Sequence, residues 1–63
     1  MKQSLRHQKI IELVKLKGYA STEELVIELE VSPQTIRRDL NILAEQDLIR
    51  RHHGGAATSS TAA

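Results

Sequence analysis

Two adjacent guanidinium groups, Arg37 and Arg38, stand in the run Val31-Ser32-Pro33-Gln34-Thr35-Ile36-Arg37-Arg38-Asp39-Leu40, and Gln34 and Asn41 place carboxamides on either side of them. A guanidinium fork bonds two acceptors at once, as on the edge of a guanine, and a carboxamide offers the donor and acceptor pair that an adenine edge complements. Ser32 and Thr35 add hydroxyls beside the free amides of a helix start, a setting suited to a phosphate oxygen, although capping alone accounts for Ser32. Arg50, Arg51, His52 and His53 form a second cluster, fit either to touch a phosphate backbone or minor groove, or to stand as a basic loop without fixed contacts. Together these residue types are those of a surface that reads base edges with one element and holds phosphates with others.

A helix has to present the first cluster, and its start is well specified. Ser32 suits the N-cap, and Pro33 suits the next position, where its missing N–H costs nothing. With Ile36 at zero and about 100° per residue, Leu40 and Leu43 fall within about 40° of it, while Gln34, Arg38, Asn41 and Glu45 gather near the opposite side and Arg37 lies on the flank. Arg38 points directly away from the core, which makes it the first candidate for a base contact. Gln34, in the first turn, is the second. Asp39 reads as an orienting partner for either arginine or as a solvated carboxylate. This third helix is expected to run to about Gln46.

Two further helices precede it. The first is expected from about Leu5 to Lys17 under a Ser4 cap, with Ile10, Ile11 and Val14 at helical spacing and Gly18 as its stop. Tyr19 and Ala20 form a short extended connection. Ser21-Thr22-Glu23-Glu24 then supplies a capping box for a second helix whose apolar stripe is Leu25, Val26 and Leu29. Only Glu30-Val31-Ser32 separates the second helix from the third, a length that fits a tight helix-turn-helix corner. Beyond Asp47, Leu48 to Arg51 reads as a short strand and His52 to Gly55 as its reversal, giving a hairpin wing. Ala56 to Ala63 are small and uncharged, with no large apolar side chain to anchor a returning strand, so this stretch is expected to be mobile. The domain is therefore placed at residues 1–57 and a tail at 58–63.

The 63 residues are 40% hydrophobic with Tyr19 as the one aromatic, so the core of a single small domain must be mainly Leu, Ile and Val. Cysteine is absent, which removes disulfides and thiolate metal sites. No apolar run approaches the roughly 18 residues of a membrane span, and no signal segment leads the chain, so a soluble cytoplasmic protein is expected. His52 and His53 lack the convergent further ligands that a metal needs. No cofactor is expected and no enzyme, since there is neither a thiol nucleophile, a phosphate-binding glycine loop nor a converging pair of acids. The net charge of +1 is a weak argument for nucleic acid by itself. Its distribution is stronger: Lys2, Arg6, Lys9, Lys15 and Lys17 face a single Glu12 in the first twenty residues, whereas Glu23, Glu24, Glu28 and Glu30 concentrate acid in the second helix. That acidic helix also supports the competing reading, a small helical protein-interaction module that binds no DNA.

The segments Thr22 to Leu25, Val31 to Leu40 and Arg51-His52-His53-Gly54-Gly55-Ala56 resemble the amino-terminal DNA-binding domain of DeoR-type bacterial repressors, over roughly residues 4 to 57. The resemblance implies a mainly α winged helix-turn-helix of three helices and a small β-hairpin, with the recognition helix on Pro33 to Gln46 and the wing on Leu48 to Ala57. It implies double-stranded operator DNA as the partner, with helix three in the major groove, helix two across the backbone, and helix-one lysines and the wing on phosphates. It also implies repression of carbon-source metabolism. DeoR-type proteins continue into a larger domain that senses a phosphorylated sugar or related metabolite and forms the oligomer, so this piece alone is expected to be a monomer reading one half-site. Two positions depart from the common helix-turn-helix pattern: Val26 and Glu30 stand where many such proteins carry a small residue and a glycine. Glu30 has to turn without glycine's freedom at positive φ.

Overall fold

Local capping sets the order of elements in the computed structural model, which describes residues 2–59. Helix α1 (Gln3–Lys17) begins two residues earlier than the sequence suggests, because Lys2 takes the extended N-cap conformation and its carbonyl accepts from Arg6 N at 2.9 Å without any side-chain cap. Ser4 lies inside the first turn. Gly18 ends α1 in the left-handed conformation at φ 82°, its N–H bonded to Val14 O at 2.7 Å. Strand β1 (Tyr19–Ser21) leads into α2 (Thr22–Leu29), and the expected capping box is complete: Glu24 N donates to Ser21 Oγ at 3.0 Å and Ser21 N to Glu24 Oε1 at 2.9 Å. Glu30 occupies the left-handed region at φ 55°, ψ 45°, and α3 (Pro33–Glu45) opens with Thr35 N donating to Ser32 Oγ at 3.2 Å.

Strands β2 (Ile49–His52) and β3 (Gly55–Thr58) form the wing, and β1 joins them in an antiparallel sheet of order β1-β3-β2. The returning strand thus exists and is central, contrary to the reading of Ala56 onward as unanchored. A central strand is held by ladder bonds on both edges, Tyr19 opposite Ala57 on one side and Arg50 opposite Ala57 on the other, and needs no large side chain. Small residues are in fact required there, since a Cβ on Gly55 would stand 2.5 Å from both Ala20 O and Tyr19 Oη. Pairing runs through Thr58, whose N–H also reaches Gly18 O at 3.2 Å, so the ordered domain passes the boundary drawn at Ala57. Residues 60–63 of the expected tail lie outside the described residues.

Ile10 and Val14 of α1, Leu25 and Leu29 of α2, and Ile36, Leu40 and Leu43 of α3 meet over Ala20, Ile49 and Ala56 of the sheet. Burial of each branched side chain contributes about 1.5–3 kcal/mol, and with one aromatic in the chain the aliphatic contacts supply nearly all of it. Among the described residues no helix is long and apolar enough to cross a membrane. The architecture is a mainly helical winged helix-turn-helix of three helices and a small β wing, in which β2 packs against α3 and the opposite face of that helix is left in solvent.

Candidate nucleic-acid interface

The exposed face of α3 is the one the helical spacing selects. Gln34, Arg37, Arg38, Asn41 and Glu45 are all exposed, while Ile36, Leu40 and Leu43 are at most 1% exposed. That face divides in two. Arg37 and Asn41 line a groove shared with Ser21, Thr22, Glu23, Val26 and Ile27 of β1 and α2 and with Arg51 to Gly54 of the wing. Gln34 and Arg38 stand outside the groove, on the outer part of the helix. Neither Arg37 nor Arg38 forms an ion pair among the described residues, so both guanidinium groups are unspent.

Ser32 and Thr35 are committed to the helix start. Besides the cap bond, their hydroxyls lie 2.9 Å apart in a hydrogen bond to each other, exposed beside the first-turn amides. Capping explains the pair without a phosphate, and the position still leaves the amide end of α3 open to one.

Asp39 does not orient Arg37 or Arg38, nor is it solvated. It is fully buried on the inner side of α3, where both oxygens accept from Arg6, the Oδ1 contact at 3.0 Å, and Oδ1 also accepts from His7 Nε2 at 2.9 Å. An ionised carboxylate only accepts, so His7 must carry the proton on that nitrogen. Burial works to raise the Asp39 pKa and is the largest single influence, yet the hydrogen bonds from Arg6 and His7 together with their charges outweigh it and hold the carboxyl below its usual range. The cluster ties the recognition helix to α1, and it removes Arg6 from the cations available to DNA. A signal for it existed: on the wheel that puts Ile36 at zero, Asp39 falls about 60° away, and Arg6 and His7 sit one turn before Ile10 on the apolar stripe of α1.

In the wing, Arg50 is exposed and has no hydrogen bond or ion pair to another side chain among the described residues, whereas Arg51 is engaged three ways. Its Nε–H donates to Asn41 Oδ1 at 3.0 Å, and Nη1 donates to the carbonyls of His52 at 2.8 Å and Gly55 at 2.9 Å. His52 and His53 are exposed at the groove, and the His52 ring packs edge-on to Tyr19 with centroids 6.2 Å apart. The wing therefore has fixed contacts, where the sequence left a loop without any as an open alternative. Electrostatically the surface is mixed: Arg37 and Arg51 bring positive charge to the groove, Arg50 stands outside it on the wing, and Glu23 enters it from α2. Lys17, counted among the phosphate-facing lysines of α1, is paired with Glu24.

The sequence has counterparts among known proteins. Residues 6–62 match the model of the DeoR-like helix-turn-helix domain. The chain is 81% identical over 62 residues to the glycerol-3-phosphate regulon repressor of Haemophilus influenzae and 72% identical over 61 residues to the protein of that name in Escherichia coli, in each case spanning 24% of the relative. It is 48% identical over 56 residues, or 89% of its length, to the transcriptional repressor CsqR of Escherichia coli, again spanning 22% of that protein. It thus spans about a quarter of the length of these curated relatives, each of which is named as a repressor. No solved structure matches it. With the family model covering nearly the whole chain and the helix-turn-helix and wing both formed, the chain belongs to the DeoR-like helix-turn-helix domain family.

Proposed function

We propose that this domain binds operator DNA in a sequence-specific manner for a bacterial transcriptional repressor of glycerol-3-phosphate or related sugar-phosphate metabolism. The observation that carries the reading is the open face of α3, where Gln34, Arg37 and Arg38 are exposed and, among the described residues, free of ion pairs, beside a wing already docked against the same helix. The names of the two relatives above 70% identity support the choice of regulon.

In the mechanism, α3 lies in the major groove with Arg38 on a guanine edge and Gln34 on an adenine edge. Arg37 and Arg50 neutralise phosphates on either side, and the amide end of α3 at Ser32 and Thr35 meets a third. Arg51, His52 and His53 place the wing along the backbone. The helix α2 crosses above the duplex and keeps its acid mainly outward, with Glu28 and Glu30 on its far end from the groove. Oligomerisation and metabolite sensing belong to parts of the parent protein outside these residues, and the isolated domain reads one half-site as a monomer in the cytoplasm.

The test is an amide chemical-shift titration with a duplex carrying a glycerol-3-phosphate-regulon half-site, against a scrambled duplex. Shifts confined to Ser32 to Asn41 and Arg50 to Gly55, larger with the cognate duplex, are expected. No shift with either duplex at low salt would transfer the domain to the protein-docking class that acidic α2 otherwise favours.

A further inference from the structure

We propose that Arg51 is a positioning residue, a clamp that fixes the His52-His53-Gly54 loop of the wing against the recognition helix before DNA arrives. The proposal rests on the DNA-binding reading above and changes what Arg51 and Asn41 do within it. One planar guanidinium holds three pieces of chain: Nε–H reaches Asn41 Oδ1 on α3, and the two N–H groups of Nη1 reach the carbonyls of His52 and Gly55. Those carbonyls flank the His53-Gly54 turn, so a single rigid group pins both ends of the loop. The turn is tied on its other side as well, since Gly54 O accepts from Thr22 N at 2.8 Å at the first residue of α2. The loop is therefore fastened to both helices of the helix-turn-helix, on the wall of the groove that Arg37 and Asn41 line.

Two consequences separate a clamp from a phosphate contact. Asn41 Oδ1 already accepts from Arg51 before any duplex arrives, so the clamp fixes the direction of its carboxamide and leaves it less free to turn to an adenine edge. Lysine carries the charge of Arg51 but is a point donor on a flexible stem, unable to span three acceptors in one plane. Charge conservation at residue 51 then preserves a phosphate contact and destroys a clamp.

The experiment uses the whole 63-residue domain, with Arg51→Lys, Arg51→Ala, Asn41→Ala and the Asn41→Ala/Arg51→Lys pair. Amide hydrogen exchange is followed in the free protein, and binding is measured with the half-site duplex. A clamp predicts that Lys and Ala at residue 51 both lose protection at His52 to Gly55 while α1 to α3 stay protected, and that both weaken binding about tenfold. It predicts further that adding Asn41→Ala to Arg51→Lys causes little additional loss, because the shared bond is already gone. Parent-like binding and a protected wing in Arg51→Lys, or losses that multiply in the pair, would overturn it. Should changes at residue 51 unfold the helices, Asn41→Ala decides alone, since it removes one exposed bond: a less protected wing supports the clamp and an unchanged one rejects it. If the parent domain binds neither duplex, the DNA reading fails while the free-state exchange still tests the clamp.

Discussion

Arg38 and Asp39 are neighbours in sequence with opposite surroundings, one guanidinium in open solvent and one carboxylate wholly inside. Replacing Arg38 by alanine removes nothing the fold uses, so unfolding should be unchanged while a bidentate base contact worth about 1–3 kcal/mol is lost, and competition binding should show the cognate half-site losing its preference over a variant at one guanine. An Arg38→Ala domain that discriminates as its parent does would place base reading elsewhere on α3. Replacing Asp39 by alanine acts in the reverse way. It leaves Arg6, only 14% exposed at its side chain, and His7 facing an empty site, and urea unfolding should show a loss of about 3 kcal/mol. The same pair sets an acid limit: the Asp39 carboxyl titrates lower in the folded chain than unfolded, so its contribution is complete above the unfolded value near pH 4 and is lost as pH falls through the folded one. An Asp39→Asn domain should therefore show a flatter loss of stability than the parent does as pH falls below about 4. The sequence made Arg38 legible because exposure follows from helical phase alone. Asp39 was misread because its partners lie more than thirty residues away on another helix, and only the coincidence of polar residues on two apolar stripes hints at the pairing.

The elements that follow from local chemistry were readable: the Ser21–Glu24 box, the Ser32-Pro33 start and the Gly18 stop each depend on residues within one turn, and all three are formed. The hairpin was expected, but the central place of β3 and its pairing with β1 were not, because ladder pairing to two distant strands leaves no mark on a run of glycine, alanine and threonine. Gly55 carries the sharpest consequence. An added methyl would collide with the Ala20 carbonyl, backbone that cannot yield without breaking the β1–β3 register, so Gly55→Ala should destabilise the domain by about 3 kcal/mol or more and abolish exchange protection in β3. The corner between α2 and α3 offers the opposite case. Glu30 sits at φ 55° without a side-chain hydrogen bond among the described residues, a conformation that costs a non-glycine residue about 1 kcal/mol or more. Glu30→Gly relieves that strain but adds about 0.4–1 kcal/mol of unfolded-chain entropy, so the melting temperature should rise by only roughly 1–4 °C, with DNA binding intact. A lower melting temperature would mean that the added freedom of the unfolded chain outweighs the relieved strain.

Taken whole, the molecule has almost no net charge, so its affinity for DNA has to come from where the cations sit and must respond to salt accordingly. Arg37 at the groove and Arg50 on the wing are exposed and without ion pairs among the described residues, while Arg6 is bound to Asp39 and Lys17 to Glu24, which leaves the interface far fewer phosphate contacts than the nine basic residues of the sequence would allow. With three or four phosphates engaged, the logarithm of the binding constant should fall against the logarithm of salt with a slope of about −3 to −4, at roughly 0.9 per phosphate. Because the chain spans a quarter of its relatives, a parent with two such domains on one operator should show about twice that slope and a far higher affinity from the same contacts. The slope also separates the wing's two arginines. Arg50→Ala should make it shallower by about 0.9 with little change in base preference, whereas Arg51→Lys, which keeps the charge, should weaken binding mainly by loosening the loop. Fluorescence anisotropy at a series of salt concentrations measures all three proteins on one duplex. A flat slope for the parent would remove DNA from the account, and an unchanged slope for Arg50→Ala would take the free cation of the wing off the phosphate backbone.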